Sequence, residues 1–409
     1  MILFKTGQNT PITRPTDGST IMNNPIYLDY AATTPMAPEV ALAMAECLTL
    51  EGDFANPASL QHSFSERAYN LVETARIDIA HILKCKANDL VFTSGATEAN
   101  NLAIKGLALS AQNKRKHIIT SATEHKAVID TCKYLESVGF KVSYLKPEHN
   151  GLINLDKLLA AITTETFLVS LMHVNNETGI IQDIAGIALA LQDKELLFHV
   201  DAAQSAGKLN IDLSQTPIDL LSISGHKFYG PKGIGCLYIR NRKQQRLMPL
   251  MQGGGQEYGL RPGTLPTHQI VGIATAFKLA ANSLDNDNQH TQHLAQLIST
   301  QLKQLDGVHF NGDQHQKLAS IINVSFDDVG SDSLIINLKD QLAIANGSAC
   351  NTGTIEASHV LRAMGIEGDR LYGAVRISFG RYSTEKDIQH AGQCLYNEVL
   401  RLRQLALEL

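Results

Sequence analysis

Residues 196–204 read LLFHVDAAQ, an apolar run that ends in an aspartate and is followed by small and polar residues. A second run, LVSLMHV at residues 168–174, is also almost entirely apolar. Strands have this composition when helices cover both faces of a parallel sheet, because neither face then meets water. The two runs therefore predict central strands of such a sheet, with polar side chains at one of its edges.

Shorter runs of the same kind alternate with longer amphipathic segments on both sides of these two. The predicted strands are Leu90–Thr93, His117–Thr120, Lys141–Leu145, Phe167–His173, Leu197–Asp201, Leu220–Ser224 and Gly235–Ile239. The predicted helices between them include Ala96–Ala111, Thr123–Glu136 and Asn154–Ala161. This alternation predicts an α/β fold with a mostly parallel, helix-covered sheet. Because ligands bind at the C-terminal strand ends of such sheets, we expect the functional site there.

The 409 residues are enough for two domains. Residues 1–24 read as a polar arm, and a polar stretch, NSLDNDNQ at residues 282–289, predicts a joint further on. The segments after the joint predict a helix, two strands and a second helix, at Thr291–Leu305, Ala319–Phe326, Leu342–Ala345 and the C-terminus. We therefore expect a large ligand-binding domain over residues 39–282 and a smaller α+β domain made of residues 25–38 and 283–409.

Composition and charge argue against several classes of protein. Lys and Arg number 35 against 40 Asp and Glu, a net charge of −5, which disfavours a protein whose main role is to bind nucleic acid. No apolar run approaches the ~18 residues that a membrane span needs, and the N-terminus lacks the apolar region of a signal peptide. The cysteines contain no CxxC pair, which favours a reducing cytoplasm over a disulfide framework or a metal site. They are Cys47, Cys85, Cys132, Cys236, Cys350 and Cys394.

The segment TSGATE, residues 93–98, directly follows a predicted strand and opens a helix. Backbone N–H groups at a helix N-terminus, beside small residues and hydroxyls, can hold an anion such as a phosphate. An ordinary Ser/Thr N-cap is an equally good interpretation of this segment alone. Neither GxxxxGK[ST] nor GxGxxG is present, so the segment does not predict a nucleotide-binding loop.

Two charged residues stand at the ends of predicted strands. Asp201 ends the run LLFHVD, where it is either a cap or a carboxylate that pairs with a protonated ring nitrogen. Lys227 lies in SGHKFYGPKG, residues 224–233, just after an apolar strand. A lysine shielded from water has a lowered pKa and can form a Schiff base. The alternative is a surface lysine in a glycine-rich hairpin.

Cys350 has the least core-like surroundings of all the cysteines. It lies in IANGSACNTGT, residues 344–354, among small and polar residues, whereas the other cysteines lie in helical or strand-like segments. An exposed thiol on a loop can act as a nucleophile when its thiolate is favoured. A structural role is the alternative for any single cysteine, but this context predicts a reactive one.

Together these segments resemble the NifS/IscS-type cysteine desulfurases, which are pyridoxal-phosphate enzymes of the class V aminotransferase group. The resemblance runs from residue 26 to about residue 382 and includes the ordered motifs IYLDYAATTP, FANPAS, TEHK, HVNNETG, RPGT and GSAC. It implies a fold-type I structure, a large domain that binds pyridoxal phosphate (PLP), a homodimer and a cytoplasmic location.

The resemblance also implies the roles of individual residues around the cofactor. Lys227 would carry PLP as a Schiff base, and Asp201 would pair with its ring nitrogen. His125 would stack on the ring and move protons, while Gln204 would hydrogen-bond the phenolic oxygen. The phosphate would be held by Gly95, Ala96, Thr97, Ser224, His226 and, from the other subunit of the dimer, Thr264.

The implied reaction converts L-cysteine to L-alanine. Asn176 and Arg376 would bind the substrate α-carboxylate, to which a planar guanidinium is well suited. The Cys350 thiolate would attack the substrate sulfur, and the resulting persulfide would pass its sulfur to an acceptor protein. That acceptor would serve iron–sulfur cluster assembly, thiolation or DNA phosphorothioation. Two departures from the iron–sulfur housekeeping members, Pro262 and the run NTGT at residues 351–354, fit the DNA-phosphorothioation branch.

Other functions stay open on the sequence alone. A selenocysteine lyase or an aminotransferase would share the fold and the cofactor, although transamination needs no loop thiol such as Cys350. A non-enzymatic protein that binds nucleic acid or metal is the third alternative. The basic residues 114–116 and the pair His290 and His293 are its only support, and both are more typical of a solvated surface. We expect no metal ion, no membrane contact and no direct binding of nucleic acid.

Overall fold

A computed structural model describes residues 24–59, 61–244, 247–346 and 357–408. The strands, in chain order, are β1 (Ile26–Tyr27), β2 (Leu90–Thr93), β3 (His117–Ser121), β4 (Lys141–Leu145), β5 (Thr166–Met172), β6 (Leu197–Asp201), β7 (Leu220–Ser224), β8 (Gly235–Ile239), β9 (Val308–Phe310), β10 (Ile321–Phe326), β11 (Leu342–Ala343) and β12 (Ala374–Ser378). The helices are α1 (Pro38–Ala45), α2 (Ser63–Leu83), α3 (Ala96–Ala108), α4 (Lys126–Ser137), α5 (Leu155–Ala160), α6 (Ile184–Leu191), α7 (Thr267–Asn282), α8 (Leu284–Leu302), α9 (Ser331–Leu338), α10 (His359–Ala363), α11 (Gly368–Tyr372) and α12 (Glu385–Leu407).

The central sheet of the described chain has seven strands in the order β2-β8-β7-β6-β5-β3-β4. Strand β8 runs antiparallel to both of its neighbours, and the other strand pairs are parallel. Successive residues of β5 face two different cores. Val169 packs in a cluster with residues of α2 and α7, whereas Leu168 packs in one with residues of α3 and α4. Both faces of the sheet are therefore covered by helices, which confirms the predicted α/β fold.

Around the central sheet, the element ends differ from the prediction by at most three residues, and the larger differences lie at helix ends that side chains cap. Five of the seven predicted strands have the predicted bounds, β3 ends one residue later, and β5 begins and ends one residue earlier. Helix α4 begins at Lys126 rather than Thr123 because the ring of His125 caps it, accepting a hydrogen bond from the N–H of Ala127 at 3.1 Å. Helix α3 ends at Ala108, whose carbonyl accepts a hydrogen bond of 3.2 Å from the Asn113 side chain.

The C-terminal part of the chain forms a separate sheet. Strands β12, β10 and β9 pair antiparallel in that order to form it, and β1 pairs in parallel with β11 in a further, two-stranded sheet. Helices α8 and α12 cover this sheet through apolar residues such as Ile298 and Leu395. The sequence pattern predicts β10 and β11 but misses β9 and β12, the two strands on either side of β10.

The polar stretch at residues 282–289 is helical except for Ser283. Helix α7 ends at Asn282, and α8 begins at Leu284 rather than at the predicted Thr291. Asp285 and Asp287 lie in the first turn of α8, where negative charge interacts favourably with the helix dipole. Polarity here marks a helix N-terminus rather than a loop. The expected domain boundary at this point stays a prediction.

Several features are absent from the part of the chain that the structure describes. None of its helices combines the length and the apolar character needed to cross a membrane. No group of three or more His, Cys, Asp or Glu side chains in it is placed to hold a metal ion. The described cysteines are free, and Cys47, Cys132 and Cys236 are buried.

Candidate active site

The C-terminal ends of the parallel strands border a cavity of about 710 Å³. Three neighbouring strands contribute Met172, Asp201 and Ser224, each of them the last residue of its strand. The first residues of α3 and Arg376 of β12 also line the cavity. This is the edge at which parallel sheets bind ligands, so the cavity is the candidate site.

Lys227 ends a short 3₁₀ turn, Gly225–Lys227, that follows β7 directly. Its Nζ donates hydrogen bonds to the main-chain carbonyls of Ala31 at 2.7 Å and Ala32 at 2.8 Å. Burial, and after it the positive charge of Arg376, lower the pKa of Lys227 to about 8. More of this amine than of a surface lysine is therefore unprotonated at neutral pH, and the unprotonated amine is the form that attacks a carbonyl carbon.

Asp201 is buried at the end of β6, with both of its oxygens held by neighbours. Asn100 of α3 donates from Nδ2 to Oδ2 at 2.7 Å, and the main-chain N–H of Ala203 donates to Oδ1 at 2.9 Å. These two hydrogen bonds fix the orientation of the carboxylate at the cavity wall. A carboxylate held in this way can pair with a protonated ring nitrogen.

His125 and Gln204 line the same cavity. Because Nδ1 of His125 accepts the hydrogen bond that caps α4, the neutral ring carries its proton on Nε2. Burial lowers the pKa of His125, which favours this neutral form. The buried Gln204 amide donates from Nε2 to the carbonyl of Ala31 at 2.8 Å, so one carbonyl accepts from both Gln204 and Lys227.

The first turn of α3 supplies backbone N–H groups to one wall of the cavity. Gly95 is the N-cap, and no side chain caps the helix there. Ala96 and Thr97 follow it along the cavity wall. Strand β8 packs closely against this turn. A side chain in place of Gly235 would put its Cβ 2.7 Å from the Cα of Gly95, so the approach requires a glycine. An uncapped N-terminus whose N–H groups border a cavity can bind an anion such as a phosphate.

Ser224, His226 and Lys232 also line the cavity and add polar groups to it. Nδ1 of His226 lies 3.1 Å from the Thr33 hydroxyl, at hydrogen-bond distance. Burial, and after it the charges of Lys227 and Lys232, lower the pKa of His226 to about 4. The imidazole is therefore neutral at neutral pH and acts as a hydrogen-bonding group rather than a cation.

Arg376 is buried in β12 and held from two sides. One guanidinium nitrogen donates to the main-chain carbonyl of Asn176 at 2.9 Å, and another donates to the Asp29 carboxylate at 2.7 Å. Its Nε is buried without a partner among the described residues. A fixed guanidinium with unused donors beside a cavity is suited to a carboxylate ligand.

The structure brings together most of the residues that the sequence singles out. The cavity lining includes Gly95, Ala96, Thr97, His125, Asn176, Asp201, Gln204, Ser224, His226, Lys227 and Arg376. Thr264 is exposed and does not line it. Cys350 lies outside the described residues. The roles of all these residues stay predictions.

Other polar residues of the cavity were not predicted from the sequence. They are Asp29, Ser94, Glu98, Lys232 and Asn346. All five lie in segments quoted above, such as TSGATE and IYLDYAATTP, so their positions in those segments were available as signals. No local pattern, however, reveals that Asp29 pairs with an arginine 347 residues further along the chain.

Comparisons with known proteins give one consistent result. Residues 26–390 match the Aminotransferase class-V family. The chain is 48% identical over 386 residues to a protein named Cysteine desulfurase IscS from Pseudoalteromonas translucida (strain TAC 125), covering 94% of this chain and 95% of that protein. It is 40% identical to the structure of SspA in complex with cysteine, with a TM-score of 0.78, covering 88% of this chain and 99% of that one. A crystal structure of DndA from Streptomyces lividans is 42% identical, with a TM-score of 0.74, covering 87% and 99% of the two chains.

Proposed function

The chain belongs to the Aminotransferase class-V family and is a cysteine desulfurase that uses pyridoxal phosphate, and we propose that the cavity at the C-terminal sheet edge is its active site. The reaction converts L-cysteine to L-alanine, with transfer of the sulfur through an enzyme persulfide to an acceptor protein. The observation that carries the assignment of the site is the convergence of Lys227, Asp201 and Arg376 on one cavity. They supply an amine with a lowered pKa, a fixed carboxylate and a fixed guanidinium.

The residues of this cavity fit pyridoxal phosphate in charge and in chemistry. The uncapped N-terminus of α3 suits its phosphate, and Asp201 suits its protonated ring nitrogen. Lys227 suits its aldehyde, because this amine is buried and has a lowered pKa. The volume of about 710 Å³ lies in the range of ~300–1,000 Å³ that is typical of small-molecule sites.

The substrate is held by Arg376 and Asn176, which bind its α-carboxylate. The chemistry that the bound cofactor supplies is stabilisation of negative charge at the substrate Cα. Lys227 accepts the Cα proton at Nζ, because its lowered pKa leaves free amine at neutral pH. His125, which carries a proton on Nε2 and lines the cavity, can donate a proton to the substrate.

We place the sulfur transfer at Cys350. Its thiolate attacks the substrate sulfur, the carbon–sulfur bond breaks, and the new sulfur–sulfur bond makes a Cys350 persulfide. The carbon skeleton keeps the electron pair of the broken bond, takes up a proton at Cβ and leaves as alanine. Asn346 lies four residues before Cys350 and lines the cavity, which supports a path from this part of the chain to the substrate.

We propose that the enzyme is a homodimer in which Thr264 completes the phosphate site of the other subunit. Apolar side chains that a monomer would leave in water support this assembly. Leu42, Leu48 and Leu50 are more than half exposed, and Phe54 lies near them in the chain with about half of its surface exposed. Several large apolar side chains exposed within one short segment are typical of a surface that forms an interface.

The identity of the protein that accepts the sulfur is a further part of the proposal. Identity to the IscS relative is 48%, higher than the 42% to DndA, and this favours an acceptor for iron–sulfur assembly over a DNA-modification partner. A cytoplasmic location follows from the same proposal. Offering the persulfide-loaded enzyme to an iron–sulfur scaffold, a thiolation relay and a DNA-modification partner would decide the acceptor, since the true one receives the sulfur fastest.

Alanine production from L-cysteine by the purified, PLP-loaded protein tests the proposed function. A desulfurase makes alanine and, with a thiol reductant, an equal amount of sulfide. An aminotransferase would instead require a 2-oxo acid and would release no sulfur, and a selenocysteine lyase would act on L-selenocysteine alone. Failure to form alanine with PLP bound would contradict the proposal.

A further inference from the structure

We propose that Lys208 is a positioning residue that fixes the side-chain amide of Gln204, so that the amide N–H groups face Ala31 and the cofactor cavity. This inference rests on the proposed function, because the expected partner of Gln204 is the phenolic oxygen of PLP. Lys208 does not line the active-site cavity itself. It lies four residues after Gln204, in the turn segment that follows β6.

Two hydrogen bonds determine how the Gln204 amide is oriented. Lys208 Nζ donates to Oε1 of Gln204 at 2.9 Å, and Nε2 of Gln204 donates to the carbonyl of Ala31 at 2.8 Å. A protonated lysine has no acceptor, so only the amide oxygen can face Lys208. Of the two amide N–H groups, one is used by Ala31, and the second remains for a ligand in the cavity that Gln204 lines.

The surroundings of Lys208 are unusual for an ammonium group. Lys208 lines a separate cavity of about 30 Å³, together with Tyr30, Tyr229 and Asp287. This volume accommodates about one water molecule. Lys208 forms no salt bridge with any of the described residues. Shielding an amine from water without a carboxylate partner is costly, so a lysine at this position calls for a role beyond packing.

Other positive charges act on the same ammonium. Loss of hydration, and after it the charges of Lys227 and Arg376, lower the pKa of Lys208 to about 7. The hydrogen bond that Lys208 donates to Oε1 polarises the Gln204 amide and strengthens the hydrogen bond that the amide donates into the cavity. Without that donor only the hydrogen bond to Ala31 holds the amide, and a turned amide would present its oxygen to the phenolic oxygen, where two acceptors repel each other.

Replacement of Lys208 by methionine tests this role in the full-length, PLP-loaded enzyme. The absorbance of the bound cofactor, recorded as a function of pH, gives the midpoint at which the proton shared by Lys227 Nζ and the cofactor's phenolic oxygen is lost. We call this measurement the colour titration. The phenolic oxygen holds that proton more tightly when it loses the donor from Gln204. We therefore expect Lys208→Met to raise the midpoint by about one pH unit, a tenfold change in proton affinity. Lys208→Arg, which keeps a charged donor, should restore most of the wild-type midpoint.

Lys317→Met is the matched control. Burial lowers the pKa of Lys317 to about 8, and its Nζ also contacts a glutamine oxygen, that of Gln314 at 3.3 Å, but it does not line the active-site cavity. Its removal should leave the colour titration unchanged. In a Gln204→Leu background, Lys208→Met should add no further shift, because the effect passes through Gln204.

The outcomes separate this inference from the proposed function. A wild-type protein that takes up no PLP would contradict the proposed function itself. A wild-type protein that titrates normally, together with Lys208→Met at the same midpoint, would overturn the positioning role alone. A full further shift in the Gln204→Leu background would overturn it too, since Lys208 would then act by charge without Gln204. If Lys208→Met does not fold, Lys208→Gln is judged by the same midpoint.

Discussion

Arg376 donates a hydrogen bond of 2.7 Å to Asp29, although 347 residues separate the two in the chain. The pair joins β12 to the segment just after β1 at the wall of the active-site cavity. Asp29 also contacts the end of β12 through a bridge to Ser378. The two ends of the chain thus jointly position the group proposed to bind the substrate carboxylate.

Arg376→Lys should weaken cysteine binding much more than it slows the chemical step. A lysine cannot keep the hydrogen bonds to Asp29 and Asn176 while also presenting a planar fork to the substrate. We expect KM for cysteine to rise roughly ten- to hundredfold, since a hydrogen bond to a charged group contributes ~1.5–3 kcal/mol. Arg381→Lys is the control, because Arg381 forms an equally short pair with Asp287 away from the cavity. Equal KM values for both variants would contradict the assignment.

The uptake of PLP by the apoenzyme should depend on pH through Lys227. Its pKa is lowered to about 8, so the reactive free amine increases as the pH rises to that value and then stays constant. An ordinary lysine would instead give a rate that still rises toward a pKa of ~10.4. Arg376→Met removes a positive charge and should move the plateau to higher pH. Stopped-flow absorbance measures the rate, and an unchanged plateau in Arg376→Met would contradict the charge effect.

Asn100→Leu should lower the affinity for PLP by about tenfold, because Asp201 loses one of the two hydrogen bonds that fix its carboxylate. Asn311→Leu is the matched control. Asn311 is also a buried asparagine, but the two side chains to which it donates, Asn323 and Ser325, do not line the active-site cavity, whereas Asp201 does. It should cost stability without changing PLP affinity, which equilibrium dialysis measures. Equal losses of affinity in the two variants would mean that the effect is general destabilisation.

A buried ion pair makes a separate prediction about stability. Arg76 donates two hydrogen bonds to Glu257, at 2.6 and 2.9 Å, and Glu257 also accepts one from the N–H of Phe92. Arg76→Met would leave Glu257 buried and unpaired, so we expect the free energy of unfolding to fall by about 3–5 kcal/mol. Lys157→Met, which breaks an exposed pair with Glu148, should change it by less than ~1 kcal/mol. Denaturant titration compares the two, and similar losses would refute the argument.

Much of the fold could be predicted because its signals are local. The buried strands are short apolar runs between helical segments, and Asp201 and Lys227 stand next to such runs in the sequence. The pairing of Asp29 with Arg376 depends on tertiary packing that no periodicity encodes. The pairing of Lys208 with Gln204 is local, but it lies in a turn segment that no helical or strand pattern marks. The division into domains at residues 25–38, 39–282 and 283–409 stays a prediction.

The prediction failed where a polar composition was read as a loop. Residues 284–290 form the start of α8, because acidic side chains stabilise a helix N-terminus as readily as they populate a turn. Strands β9 and β12 were missed for a different reason. Strand β9 has only three residues, and the segment of β12 carries Arg376, a charged residue that interrupts its apolar pattern.

Mapping the persulfide by mass spectrometry after one turnover with L-cysteine tests the central claim most directly. The account predicts one added sulfur atom on the peptide that contains Cys350, together with one equivalent of alanine. Cys350→Ser should bind PLP and cysteine but form no persulfide, whereas Cys394→Ser, which alters a thiol on α12, should behave as the wild type. Added sulfur on any other cysteine, or full turnover by Cys350→Ser, would contradict the account.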